Sequence, residues 1–98
     1  MARYNVVSID NASIGLGGQR VDRGEFESAE AAIGRAKQLV DAALLEYFKE
    51  ASSAQQLMDH YMRKGSEVPM IYGEPRVAFH AYQYARERAN AMFEAARD

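Results

Sequence analysis

The sequence predicts an α+β fold in which helices pack against an antiparallel sheet, with residues 1–98 forming a single domain. Two short β-branched stretches open the chain, separated by a glycine-rich segment. After them, apolar residues recur at three- and four-residue steps, the spacing of one helix face. The predicted order is strand–strand–helix–helix–strand–strand–helix. Helices grouped beside paired strands are typical of the α+β class.

The first two predicted strands form a hairpin with a long tip. Residues 3–9, RYNVVSI, are rich in β-branched side chains. Residues 19–26, QRVDRGEF, predict a weaker strand because Gly24 interrupts it. The loop between them contains GLGG, but no Lys and Ser/Thr follow and the next element is a strand, so a phosphate-binding loop is not expected.

Two amphipathic helices are predicted next. Ser28 is a good N-cap for the first, since its hydroxyl can accept from an unpaired backbone N–H. Ser53 and Gln56 have capping-box spacing and predict the start of the second, which ends at Gly65, a natural C′ residue. No Gly or Pro separates the two segments, so one bent helix over residues 28–64 is the alternative.

The last third of the chain predicts two strands and a helix. EVPMIYG is expected at a sheet edge because Pro69 cannot donate a ladder hydrogen bond. After a turn at GEP, residues 76–79, RVAF, predict a short fourth strand. A helix follows from about His80. On a helical wheel its core side includes Tyr82, and we expect four residues to be buried together: Ile33, Leu44, Tyr82 and Phe93.

Several of these stretches resemble a family of small uncharacterised bacterial proteins. They are FESAEAAI, VDAAL, SSAQQLMDHYMRKGSEVPMI and VAFHAYQYARERA. The family pattern has a Gly-Glu-x-Pro-x-Ile strand and a Phe-Ser-Ala-x-x-Tyr-Ala helix start, and the match spans roughly residues 26–90. The resemblance implies the same element order and no particular chemistry. It also implies a large buried ring at Tyr82, where the pattern has tryptophan.

Composition argues against several functions. The chain has no cysteine, and His60 and His80 lack the i, i+4 spacing of a helical zinc pair, so neither a metal nor a cofactor is expected. The net charge of −2 disfavours nucleic-acid binding, for which the candidates are Arg20, Arg23, Arg76 and Arg86. No apolar run approaches the ~20 residues of a membrane helix, so we expect a cytoplasmic protein without a membrane partner.

The favoured hypothesis is a non-catalytic interaction module that binds a protein partner or itself, as a homodimer. Its five methionines suit an adaptable surface. The predicted surface is the outer face of the last helix, with Tyr84, Arg88, Ala91 and Ala95. The alternative is a small-molecule or enzymatic site near the start of that helix, formed by Tyr72, Arg76, His80 and Glu87. The sequence does not decide whether the protein is an enzyme.

Overall fold

The computed structural model describes residues 3–9, 20–64 and 67–96, which form three strands and three helices. In chain order these are β1 (Arg3–Ile9), β2 (Arg20–Phe26), α1 (Ala29–Phe48), α2 (Ala54–Lys64), β3 (Val68–Glu74) and α3 (Ala81–Ala96). The α+β class is confirmed. The predicted glycine-rich hairpin tip and the predicted C′ residue Gly65 lie outside the described residues.

The strands form one antiparallel sheet in the order β2–β1–β3, with β1 in the centre. Tyr4, Val6 and Ser8 of β1 are buried, whereas the residues between them are more exposed. Because alternate side chains of a strand point to opposite faces, the helices cover one face of the sheet. β3 lies at an edge of the sheet, as Pro69 predicts.

The interruption that Gly24 predicts in β2 is a β-bulge. Pairing with β1 shifts by one residue between Asn5 and Val7, so Val6 lies opposite both Arg23 and Gly24. Gly24 has a φ of 130°, a backbone conformation that other residues rarely adopt. Glycine therefore lets β2 continue beyond the bulge to Phe26.

The predicted fourth strand is wrong. Residues 76–80 are not part of the sheet, and the structure has three strands over the described residues. Their burial nevertheless alternates: Val77 and Phe79 are half-buried, and Arg76, Ala78 and His80 are exposed. Val77 and Phe79 pack against the core between the sheet and α1. The alternation that predicts a strand therefore reflects anchoring to the core, without ladder pairing.

The two-helix prediction is confirmed, because the chain leaves helical geometry between Phe48 and Ala54. The Ser28 hydroxyl accepts from the Ala31 N–H at 3.1 Å and caps α1. At α2, the Ser53 hydroxyl accepts from the Gln56 N–H at 3.2 Å. The Gln56 side chain in turn accepts from the Ser52 N–H at 2.7 Å. These bonds satisfy backbone donors that a helix start leaves unpaired.

α1 organises the core, since it packs against each of the other described elements. Its first half covers the sheet, where Ala32, Ala36 and Leu39 meet Tyr4 and Val6. Its second half belongs to a helical cluster composed of Val40, Ala43, Leu44, Leu57, Met58, Tyr61, Val68, Ala81, Ala85 and Ala89. One 20-residue helix thus joins a sheet-side core to a helix-side core.

α3 contacts the core through alanines. Ala81, Ala85 and Ala89, spaced one turn apart, are its buried residues. Their small side chains allow close approach to α1 and α2. Tyr82 and Tyr84 flank this alanine stripe on opposite sides. The expectation that Tyr82 lies in the core is therefore wrong, because 37% of its surface is exposed.

The other predicted core residues are buried to different extents. Leu44 is fully buried, whereas Ile33 and Phe93 are half-buried. The Phe93 ring lies 4.8 Å, centroid to centroid, from the Phe48 ring of α1. The buried side of α3 is centred roughly 50° away from the face predicted by large side chains on a 100°-per-residue wheel. This rotation moves Tyr82 out of the core and brings Tyr84 towards α1.

Candidate functional site

The outer edge of β3 is the most distinctive open surface of the described chain. β3 pairs with β1 along one side and with no described strand along the other. Beyond β3 the chain turns at Pro75, which follows a cis peptide bond, and residues 76–80 lie outside regular secondary structure. These residues line a groove together with β3, so they flank its unpaired edge.

A groove of about 790 Å³ lies between these two stretches and is open to solvent. Its walls are two runs of consecutive residues, Met70–Glu74 and Arg76–His80. A cavity over one face of a sheet would be lined by every second residue of the strand, because alternate side chains point to opposite faces. Consecutive lining residues place this groove along the edge of β3, where backbone N–H and C=O groups are accessible.

The β3 wall exposes two large side chains, Met70 and Tyr72, which are 42% and 40% exposed. The Tyr72 hydroxyl donates to the Met70 sulfur at 3.7 Å. The Arg20 guanidinium of β2 lies 6.0 Å from the centre of the Tyr72 ring. Since β2 is on the far side of β1, this cation–π contact crosses the sheet face that the helices leave open.

The second wall of the groove, residues 76–80, carries the guanidinium of Arg76. Arg76 and His80 are exposed at opposite ends of the segment. Over the described residues, no carboxylate lies within ion-pair distance of Arg76, and neither side chain has a hydrogen-bond partner. Glu74 lies opposite Arg3 in the β1–β3 ladder, which places an opposite charge beside it. Within the described ranges, no carboxylate therefore pairs with the Arg76 guanidinium.

The structure brings together three of the four residues of the predicted ligand site. Tyr72, Arg76 and His80 line the groove beside β3, but Glu87 does not. Glu87 follows His80 by seven residues, ~10 Å along a helix axis. The prediction depended on the turn and the helix start being adjacent in sequence. It missed Met70, Val77 and Phe79; the alternating apolar residues of RVAF were the available signal.

The predicted outer surface of α3 is divided between two environments. The Tyr84 hydroxyl donates to Asp41 Oδ1 of α1 at 2.8 Å, and Arg88 Nε lies 3.3 Å from the same oxygen. Tyr84 and Arg88 therefore face α1, whereas Ala91 and Ala95 are exposed. The four residues do not form one exposed patch, because the rotation of α3 turns the Tyr84 side towards α1.

Tyr84 joins α3 to α1 through polar and aromatic contacts. Burial raises the pKa of Tyr84 to about 12, helped by the hydrogen bond to Asp41 and the charge of Asp41, while Arg88 acts in the opposite direction. Lys37 Nζ lies 5.4 Å from the centre of the Tyr84 ring, and the Phe79 ring lies 6.0 Å away. A neutral hydroxyl donor to a carboxylate stabilises the helix pair.

Tyr61 makes an equivalent link between α2 and the start of β3. Its hydroxyl donates to the Glu67 carbonyl oxygen at 2.8 Å. Burial, followed by the charges of Tyr82, Glu67 and Tyr47, raises the pKa of Tyr61. The Glu67 carboxylate also accepts hydrogen bonds from the Arg23 guanidinium. These links hold the start of β3 against α2 and β2.

The four arginines considered for nucleic-acid binding lie in separate environments. Arg23 is bound by Glu67, and Arg20 lies over Tyr72. Arg76 lines the groove beside β3, whereas Arg86 lines a smaller groove of about 390 Å³ between α2 and α3. A phosphate backbone requires cations on a shared surface. The placement of these arginines offers no such stripe.

The described residues contain no cluster of three His, Asp or Glu side chains placed to hold a metal ion. In comparisons with known proteins, no family model, no curated protein and no solved structure matches the chain. The family resemblance stays a prediction, whereas the fourth strand in the element order that it implies is absent from the described residues. None of the helices in the described ranges has the length and apolar character required to cross a lipid bilayer.

Proposed function

We propose that the protein is a non-catalytic interaction module that binds an extended segment of a partner protein along the free edge of β3. The observation that carries this proposal is the groove between β3 and residues 76–80. An extended peptide can add to a sheet edge through backbone hydrogen bonds, while its alternate side chains contact the surface beside it. Met70 and Tyr72 supply such an apolar surface.

The size of the open surface favours a peptide over a second folded copy. Each strand has seven residues. At ~3.3 Å per residue and ~4.8 Å between strands, the open sheet face measures roughly 23 by 14 Å, or ~320 Å². A stable interface between folded proteins buries about 800 Å² per partner. Residues 76–80 also stand beside the edge at which a second sheet would pair.

A small-molecule site is the second candidate, because Tyr72, Arg76 and His80 line the same groove. The geometry supports this candidate less well. Catalytic and small-molecule sites hold polar groups in fixed positions with supporting hydrogen bonds. In the described structure, His80 and Arg76 are exposed and have no such support, and Glu87 lies outside the groove.

Peptide display combined with a matched pair of variants tests the proposal. A library of random eight-residue segments is selected against the protein, and backbone NMR shifts locate a selected peptide. We expect the shifts to change along residues 70–80. Met70→Lys places a charge on the groove wall and should weaken binding at least tenfold. Met62→Lys, at a methionine that is 51% exposed on α2, should leave binding unchanged.

Three results would contradict the proposal. The first is a selection that yields no binding peptide. The second is a stronger effect of Met62→Lys than of Met70→Lys, which would place the site between α2 and α3, where Met62 lies. The third is binding that changes the NMR shifts of residues outside the groove while those of residues 70–80 stay constant.

A homodimer through β3 would appear in a sedimentation run as association that Met70→Lys reduces.

A further inference from the structure

We infer that the bound segment pairs with β3 through the backbone groups of two residues, Ile71 and Gly73; this inference rests on the proposed function. The N–H and C=O of a strand residue point to the same side, and successive residues alternate between the two sides. Half of the residues of β3 therefore bond β1, and the other half face the free edge. The partner recognised there is an extended chain with unsubstituted N–H groups at two alternate residues.

The contact between Gly73 and Arg3 shows which residues of β3 bond β1. A Cβ atom at Gly73 would lie 2.6 Å from the Arg3 carbonyl oxygen. Because β1 is the central strand, a carbonyl directed towards β2 would point away from Gly73. The Arg3 carbonyl therefore points to β3. The β1–β3 register is regular, so the residues of β1 two and four positions further on also bond β3, where they lie opposite Tyr72 and Met70.

The position of Pro69 leads independently to the same orientation. Proline has no N–H, and within a sheet its nitrogen is found on the solvent side of an edge strand. Ile71 and Gly73 follow Pro69 at two-residue steps, so their backbone groups point to the same side. Both residues line the groove. Gly73 has no side chain, so its partial exposure belongs to the backbone itself.

The groove wall opposite β3 does not bond these groups. Within the described ranges, no backbone hydrogen bond joins residues 76–80 to β3. Ile71 and Gly73 present one N–H and one C=O each, ~6.6 Å apart along the strand. A bound chain can pair with both residues, and each pairing uses both groups. The partner residue between the two bonded positions lies opposite Tyr72 and directs its side chain to the open sheet face.

Amide hydrogen exchange in the unbound protein tests the orientation of β3. Exchange followed by NMR should be slower at Met70 and Tyr72, which donate to β1, than at Ile71 and Gly73. The two pairs are matched controls, since they alternate along one strand. A peptide selected from the display library, at about ten times its dissociation constant, should then slow exchange at Ile71 and Gly73 roughly tenfold. Exchange at Met70 and Tyr72 should change less.

An ester scan of the same peptide tests the pairing from the partner's side. Replacing one amide at a time by an ester removes its N–H without adding bulk. Two replacements, two residues apart, should each weaken binding about fivefold or more, because each leaves a carbonyl of β3 without its donor. The replacement between them, where the N–H points away from β3, should keep the affinity. Fluorescence anisotropy measures the dissociation constants.

The possible failures are distinguishable. If no peptide binds, both the interaction module and the backbone pairing are wrong. If peptides change the NMR shifts of residues 70–80 but neither exchange nor the ester scan alternates, the module stands and the pairing is wrong. Slower exchange at Ile71 and Gly73 than at Met70 and Tyr72 in the unbound protein overturns the orientation of β3. If that slow exchange quickens on dilution, the edge belongs to a second copy of the chain.

Discussion

At the scale of single residues, Gly73 shows how closely β3 approaches β1. It lies opposite Tyr4 in the ladder. A Cβ atom at this position would lie 2.5 Å from Tyr4 Cδ1 and 2.6 Å from the Arg3 carbonyl oxygen. The carbonyl belongs to the central strand, so the contact cannot be relieved by moving one flexible side chain. Glycine is therefore required beside the groove for sheet pairing.

We expect Gly73→Ala to lower the free energy of unfolding by ~1–3 kcal/mol, because the added methyl group overpacks the strand pair. The measurement is urea unfolding followed by circular dichroism. Gly34→Ala is the matched control, since a Cβ there meets nothing within 4 Å. In the interior of α1 this change should stabilise the protein by ~0.5–1 kcal/mol. A Gly73→Ala variant as stable as the wild type would show that β3 does not approach β1 this closely.

At the scale of elements, α3 is held by different contacts on its two flanks. Tyr84 bonds Asp41 of α1, whereas Tyr82 packs edge-on against Tyr61 of α2 with ring centroids 6.1 Å apart. The Tyr84 contact includes a hydrogen bond to a charged group, and such bonds contribute more than neutral ones. The Tyr84 hydrogen bond therefore helps to fix the orientation of α3 against α1.

Alanine replacement of the two tyrosines tests this view of α3. We expect Tyr84→Ala to cost ~2–3 kcal/mol of stability, through lost packing and an Asp41 left without its donor. Tyr82→Ala should cost less, because more of its ring is in water. Thermal and urea unfolding of both variants measure the difference. The sequence predicts the reverse order of stability losses, with Tyr82 in the core. A larger loss for Tyr82→Ala would therefore support the buried helix face that the sequence predicts.

At the scale of the whole molecule, three tyrosines link stability to alkaline pH. Burial raises the pKa of Tyr61 and Tyr82, and raises that of Tyr84 to about 12. The folded protein thus holds these phenolic protons more tightly than the unfolded chain, where tyrosine titrates near pH ~10. Their contribution to stability is complete below pH ~10 and is lost as pH rises towards 12.

We therefore expect the free energy of unfolding to fall between pH 9 and pH 11. Urea unfolding at both values measures this loss, which should be smaller for Tyr84→Phe because one of the shifted groups is removed. Tyr72→Phe is the control, since the Tyr72 hydroxyl is exposed and contacts the Met70 sulfur. Equal losses in the wild type and Tyr84→Phe would mean that Tyr84 is not protected in the folded state.

Local patterns in the chain predict most of the elements and only part of their packing. Side-chain caps at Ser28 and Ser53 mark the helix starts, and Pro69 marks the edge strand, because each acts on its own backbone. Whether residues 76–79 pair as a strand, and how α3 is rotated about its axis, depend on contacts with residues that are distant in sequence. Alternating apolar residues do not distinguish a strand from a segment that is anchored to the core. On α3, the large aromatic side chains predict a different buried face from the one that Ala81, Ala85 and Ala89 form.

The candidate site, too, could be predicted only in part from the sequence. Tyr72, Arg76 and His80 could be grouped from sequence, because a turn followed by a helix start keeps them near one another. The groove itself could not, because it depends on the empty edge of β3 and on Val77 and Phe79 reaching the core. Glu87 also belongs to the predicted site, but it lies outside the groove.

Residues 76–80, the segment beside β3, also bear on how the protein avoids aggregation. An exposed edge strand can template pairing with other chains, and VPMIYGE is short and apolar apart from its final glutamate. Residues 76–80 lead directly into α3, so undocking of α3 would release the segment that flanks this edge. Pro69 and Gly73, which disfavour cross-β stacking, would then be the remaining protection within β3. Solubility of the partly unfolded chain thus depends on how firmly α3 stays docked.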